Sequence, residues 1–236
     1  MTGPMAPAGT GTDAARREAR VHLQVYPRQP LTIVRGEGCW VWDEAGNRYL
    51  DCVAGIAVAV LGHAHPRVAE AISAQARTLL QVSNLYYTLP QLELAERLVE
   101  RSPFDRAFFV NSGTEANEAA IKLARRHGQA RDAAEVVALL GSFHGRTLGS
   151  LAATGQPKYS DPFAPLPGGF THVPLNDIAA LEAAVSDATC AVLLEPIQGE
   201  AGVRPLDDAY LAAARAACDR SGALLIFDEV QTGMGR

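Results

Sequence analysis

A chain of 236 residues that is 48% hydrophobic, with 26 acidic and 21 basic residues, has apolar material for a packed core and no surplus of positive charge. The basic residues are scattered rather than striped, which argues against nucleic acid or a membrane surface as partner. Cys39, Cys52, Cys190 and Cys218 lie far apart in apolar or helical patterns without C-x-x-C spacing; they read as reduced core thiols of a cytoplasmic protein, with no metal site.

Residues 1–20 are rich in Gly, Pro, Ala and Thr and read as a disordered tail, with a solvated helical lead-in around Arg16, Arg17 and Arg20. From Leu31 to Val60, short β-prone runs alternate with turn signals at Gly36–Gly38 and Glu44–Asn47, the pattern of a small antiparallel meander; residues 21–65 are assigned to this lobe. Helical patterns then begin with "RVAEAISAQARTLLQV" and "LPQLELAERLVERS", each with a proline near its start, and a larger domain is expected over residues 66–236. Within it "RAFFV", "EVVALL", "AVLLEPI" and "ALLIFDEV" alternate with helices at 114–127 and "DDAYLAAARAACDRS". Continuously apolar strands separated by helices predict an α/β fold with a mostly parallel sheet, which binds ligands at the carboxyl ends of its strands. No G-x-G-x-x-G or P-loop pattern is present, which removes the main support for nicotinamide or P-loop nucleotide chemistry.

The stretch "VNSGTEANEAAIKLAR" passes from a strand-like Val110 through a turn into a helix. Ser112 and Glu115 have capping-box spacing, and Ala116, Ala119, Ala120, Leu123 and Ala124 form a small-residue face expected to lie against the sheet. Gly113 and Thr114 leave backbone N–H groups at the helix start, suited to an anion. Asp228 ends an apolar strand, where a buried carboxylate must either meet a cation or cap a loop. In "GSFHGRTLGS", Phe143 is read equally as a stacking ring or as core, His144 as a turn or hydrogen-bonded imidazole, and Arg146 as a fork for a carboxylate. In "EPIQGEAGV", Glu200 is a substrate-side candidate and Glu195 is as consistent with a structural role.

These strings, "NSGTEANEAAIKLAR", "SFHGRTLGSLAATG", "EPIQGEAGV" and "DEVQTGMGR" in that order, together with "GCWVWDEAGNRYLDCVAGIAV" and "LGHAHP", resemble the class III aminotransferases of pyridoxal-phosphate fold type I from about Tyr26 onward. Within that family "YPRQPLTIVRGEG", "GIAV" and "VSNLYYTLPQLELAERL" are most similar to the acetylornithine branch, with the ornithine and 4-aminobutyrate types as alternatives. The resemblance implies pyridoxal 5'-phosphate as cofactor, an ω-amino donor and 2-oxoglutarate as substrates, and a homodimer when full length. It implies that Gly113 and Thr114 hold the phosphate, Phe143 packs on the ring, Asp228 meets the pyridinium nitrogen, and Val230 and Gln231 line the ring. Arg146 would take the substrate carboxylate, with Tyr26 and Glu200 on the substrate side.

The family's Schiff-base lysine is expected some tens of residues beyond "DEVQTGMGR", and the only lysines here, Lys122 and Lys158, match no catalytic motif. The chain therefore reads as an N-terminal portion with an incomplete large domain, expected to be inactive alone. A non-catalytic pyridoxal-phosphate-binding protein is the alternative.

Overall fold

The structure is a computed structural model that describes residues 12–236. It divides into two compact units, with the boundary between Tyr86 and Tyr87.

The first unit opens with helix α1, Asp13–Val21, whose N-terminus is capped by the Thr12 hydroxyl accepting the Ala15 N–H at 3.2 Å. Residues 13–20 are thus helical and solvated, as the lead-in read around Arg16, Arg17 and Arg20 had it, and not part of the disordered tail; residues 1–11 of that tail lie outside the described residues. Strands β1 (Ile33–Glu37), β2 (Trp40–Asp43) and β3 (Arg48–Leu50) form the anticipated antiparallel meander. Asp43 pins its second turn by accepting the Asn47 N–H at 2.8 Å and the Tyr49 hydroxyl at 2.8 Å. A one-turn segment of positive φ, Ala54–Ala57 (α2), leads to helix α3, Pro66–Thr78. That helix was expected to open the larger domain, yet it stays with the meander. Gly38 and His63 exchange both backbone hydrogen bonds, at 3.0 and 2.8 Å, and so tie the chain entering α3 to the β1–β2 turn. Two of the four cysteines also depart from expectation: Cys39, in that turn, and Cys52, just after β3, are exposed, while Cys190 and Cys218 are buried, and all four are free.

In the second unit come helices α4 (Leu89–Glu100) and α5 (Gly113–Gly128), then strand β4 (Glu135–Leu139). Between the helices, residues 106–110, read from sequence as a strand, form no ladder; Phe108 is 77% exposed, and among the described residues no strand pairs with its segment. The chain continues through α6 (Leu148–Ala153), α7 (Pro157–Ser160), β5 (Phe170–Val173) and α8 (Ile178–Ala184) to β6 (Thr189–Leu194). A ribbon of β7 (Ile197–Gln198) with β8 (Arg204–Pro205), helix α9 (Asp208–Ser221) and strand β9 (Leu224–Phe227) complete it.

Strands β5, β4, β6 and β9 form one sheet in that spatial order, every pair parallel. Because β4 leads to β5 on one side and the chain then crosses to β6 on the other, the order reverses between β4 and β6. In open α/β sheets that reversal leaves a crevice at the strands' carboxyl ends. Both faces are covered. On one, Ile121 and Ala124 of α5 pack on Val136, Ala191 and Leu193; on the other, Tyr210, Ala214 and Cys218 of α9 and Leu181 of α8 pack on Val137, Leu139, Val192 and Leu194. The face α5 turns inward is Asn117, Ile121, Ala124 and Gly128; of the small-residue face expected, Ala124 is buried and Ala119 and Ala120 are half-buried, while Ala116 is exposed and Leu123 is 65% exposed. The cause is Asn117, a polar side chain fixed in a buried position by the hydrogen bonds described below, which sets the rotation of the helix.

Gly128 ends α5 where a Cβ would lie 2.1 Å from the Ala133 carbonyl oxygen. Gly128→Ala is expected to cost about 1–3 kcal/mol through the backbone shift it forces. Leu193→Ala, at a position with no exposed surface, is expected to cost about 2–5 kcal/mol through the cavity it leaves. Urea-unfolding midpoints of the two variants against the parent check both values.

Candidate active site

Helix α5 starts where the sequence placed it. Ser112 caps it by accepting the Glu115 N–H at 3.3 Å, and its carbonyl accepts the Ala116 N–H at 3.0 Å. The reciprocal arm of the capping box is shifted by one residue, since the Glu115 carboxylate accepts the N–H of Asn111, at 2.6 Å, rather than that of Ser112. Among the described residues, no partner takes the Gly113 and Thr114 N–H groups of this first turn. A Cβ on Gly113 would lie 2.7 Å from Val230 Cγ1, so the helix start and the loop after β9 touch, and glycine is what permits that approach.

One turn further along α5, Asn117 donates its amide to Asp228 Oδ2 at 2.8 Å and to the His144 carbonyl at 2.8 Å. His144 Nδ1 meets the same Asp228 oxygen at 2.8 Å, and the Val230 N–H reaches Oδ1 at 3.1 Å. These groups come from α5, from the loop after β4 and from the end of β9, and all three side chains are buried, Asn117 at 5%, His144 at 2% and Asp228 at 8% exposure. Burial alone would raise the Asp228 carboxyl; the hydrogen bond and charge of His144, with the Asn117 and Val230 donors, outweigh it and hold the group below the usual carboxylate range. Asp228 is therefore an ionised carboxylate in a nearly dry setting. The imidazole is hydrogen-bonded, as one of its two sequence readings had it, with Nε2 buried and unpartnered.

Glu195, at the end of β6, crosses the crevice to accept the Phe143 N–H at 2.8 Å. Burial pushes its carboxyl up to about 8, the Phe143 N–H working the other way and the nearby charge of Asp228 adding to the rise. The two carboxyls at the strand ends are thus driven in opposite directions. The Phe143 ring meets Tyr159 edge-on at 5.6 Å between centroids, and the Arg146 guanidinium lies 5.8 Å from the Phe143 centroid and 5.5 Å from that of Tyr159. Phe143 is therefore partly exposed at the crevice rather than sealed in the core. Gln231 donates to Glu200 Oε1 at 3.4 Å, with its own Oε1 buried and unpartnered.

Of the residues singled out from sequence, Gly113 and Val230 touch, Phe143 and Arg146 stack together, and Gln231 and Glu200 pair. Thr114 is held by Thr147, at the end of the loop after β4, and by Ser150 of α6. Tyr26 belongs to the first unit, where it is 55% exposed. Asn117 and Tyr159 were missed. The signal for Asn117 was present: a polar residue in helical register with Ile121, Ala124 and Gly128 must bond to something buried. Among the described residues no cluster of ligands fit for a metal ion occurs, and no helix is long and apolar enough to cross a membrane.

A carboxyl bound more tightly to its proton in the folded than in the unfolded state makes stability fall as pH rises between its two pKa values. For Glu195 that window runs from the usual carboxylate range to about 8. Glu195→Gln keeps an acceptor for Phe143 without the charge, so its stability relative to the parent should rise from pH 5 to pH 8.5. Denaturant midpoints at the two pH values test this; a constant difference would show that Glu195 is ionised throughout.

The profile of the family described as "Aminotransferase class-III" matches residues 24–236. The acetylornithine aminotransferase of Methanocaldococcus jannaschii is 54% identical over 222 residues, which cover 93% of this chain and 56% of that protein. Among solved structures, N-acetylornithine aminotransferase from Stenotrophomonas maltophilia K279a is similar at 41% identity and a TM-score of 0.76, over 89% of this chain and 53% of that one. The taurine:2-oxoglutarate aminotransferase of Bifidobacterium kashiwanohense, solved in complex with PLP and glutamate, matches at 29% identity and a TM-score of 0.86, over 96% of this chain and 57% of that one. The chain thus spans about half the length of the relatives it matches. With the profile running through both units, the chain belongs to the class III aminotransferases.

Proposed function

We propose that the whole protein transfers an amino group from N-acetylornithine to 2-oxoglutarate with pyridoxal 5'-phosphate as cofactor, as a cytoplasmic homodimer. The observation that carries this reading is the ionised, buried Asp228, set at the carboxyl edge of the sheet beside a helix start with two unpartnered N–H groups. A dry carboxylate is costly unless it faces a cation, and a bare helix N-terminus suits a phosphate. Pyridoxal phosphate carries both, and when bound would supply an electron-withdrawing pyridinium ring.

The residues of this chain divide the remaining work. Asp228 would hold the ring nitrogen protonated, and Asn117 and His144 would keep Asp228 charged and aimed. Gly113 and Thr114 would receive the phosphate, and Phe143, steadied by Tyr159, would cover the ring with Val230 and Gln231 at its rim. Arg146, against the faces of Phe143 and Tyr159, would present its fork to the α-carboxylate common to donor and acceptor. Glu200 would stand on the donor's side. The choice of donor follows the acetylornithine aminotransferase relative, 54% identical, over the ornithine aminotransferase structure at 32%.

Glutamate formation by the intact protein tests the reading. kcat/KM with N-acetylornithine is expected to exceed that with ornithine or 4-aminobutyrate by at least about ten-fold, a difference of about 1.4 kcal/mol; the reverse order would reassign the donor, and no glutamate from any of the three would end the proposal. Arg146→Ala should lower kcat/KM for donor and acceptor alike by roughly thirty-fold or more, from the loss of about 2–5 kcal/mol at a charge pair desolvated by substrate. Arg146→Lys should recover little, and a loss confined to one half-reaction would take the shared carboxylate away from Arg146. Asp228→Ala should weaken cofactor retention and slow single turnover with the donor; unchanged single-turnover rates would leave Asp228 as a loop cap.

A further inference from the structure

Glu118 stands one residue beyond Asn117 on α5 and takes no part in the carboxylate cluster. Its Oε1 accepts the Ser150 N–H at 3.0 Å and the Thr147 hydroxyl, reaching from α5 to the start of α6. The Thr147 and Ser150 hydroxyls are 2.8 Å apart, and both reach Thr114 Oγ1, at 3.1 and 2.6 Å. Thr147 also directs its backbone N–H at Thr114 Oγ1, at 3.4 Å. A carboxylate can only accept, so the Thr147 hydrogen is committed to Glu118, and toward Ser150 and Thr114 this hydroxyl acts as acceptor. One acceptor oxygen thereby sets the direction of a hydrogen-bonded chain that ends on Thr114, the second residue of α5.

Two glycines make the arrangement possible. A Cβ on Gly149 would come within 2.6 Å of Glu118 Oε2, and one on Gly145, at φ +130°, within 2.3 Å of Thr114 Oγ1. The end of the loop after β4 thus lies directly on the threonine and the first turn of α6 on the carboxylate, and Ser150 is fully buried between them.

We propose that Glu118 is a positioning residue for the phosphate group of the cofactor: by holding Thr147 and Ser150, it fixes Thr114 and residues 145–150, the approach to α6 and its first turn, around the start of α5. The proposal rests on the phosphate assignment made for Gly113 and Thr114. Glu118 touches no ligand itself. Because both of its hydrogen bonds fall on Oε1, a glutamine can reproduce them and an alanine cannot, so geometry rather than charge is what the position supplies.

The test compares the intact protein's affinity for pyridoxal phosphate and for pyridoxal, which lacks the phosphate, each by absorbance titration of protein freed of cofactor. Glu118→Ala should weaken pyridoxal phosphate by about ten-fold or more, the worth of one to two hydrogen bonds, and leave pyridoxal within about two-fold of the parent. Glu118→Gln should restore most of the loss. Thr147→Val, which keeps the fold's dependence on Glu118 out of the comparison, should repeat the selective loss, with Thr147→Ser restoring it. Equal weakening of both ligands, or glutamine as poor as alanine, would overturn the positioning role and leave the phosphate assignment standing. A parent protein that binds pyridoxal phosphate no better than pyridoxal would overturn the phosphate assignment and this proposal together.

Discussion

The hydrogen bonds converging on Asp228 Oδ2 hold the functional edge of this sheet together. Asn117 and His144 both end on that one oxygen, and they come from segments far apart in sequence. The interaction locates α5 along its axis, fixes the loop after β4 from two directions, since Asn117 also holds the His144 carbonyl, and sets where the chain leaves β9. Removing either donor would leave a buried, partly satisfied carboxylate, which costs more than the hydrogen bond itself contributes.

The second carboxyl of the crevice depends on the first. Glu195 is buried to a similar degree, yet it receives one backbone donor where Asp228 receives two side chains and a backbone N–H. With less compensation, burial keeps Glu195 protonated near neutrality, and the fixed charge of Asp228 adds to that bias. Of these two strand-end carboxyls, Asp228 is the one held ionised. A site with a single buried anion is matched to a single cation, whereas two would attract a divalent metal or repel each other.

Much of this was legible in the sequence, for identifiable reasons. Strong apolar runs bounded by turns gave β4, β6 and β9, and the Ser112 cap marked the start of α5. The segment 106–110 has the same apolar texture and no ladder, because a strand is defined by its neighbour and sequence texture carries no information about one. Strand β5 went unread, its four residues, "FTHV", interrupted by a polar pair. At the site, each residue type announced a chemistry, but its partner did not show. Asp228 was read as needing a cation or a loop, and it has His144, Asn117 and the loop N–H of Val230 together. Pairings across more than a hundred positions, such as Asn117 with Asp228, are set by sheet order and helix rotation, and these are tertiary outcomes.

The opposite edge of the sheet shows how the site can afford so much polar density. Arg131, between α5 and β4, donates to the carbonyls of Ser221 and Gly222 at 2.7 and 2.8 Å, with longer contacts to Asp187 and Thr189. One guanidinium thereby joins the amino-terminal approaches of β4, β6 and β9, using its several donors in a fixed plane. With the strand starts registered by the Arg131 clamp and the middle by apolar packing on both faces, the ladder runs only one residue past β4 and β9, to the Leu140 and Asp228 N–H groups. The loops that follow are released to bring side chains inward, and the carboxylate cluster around Asp228 closes them from the other side.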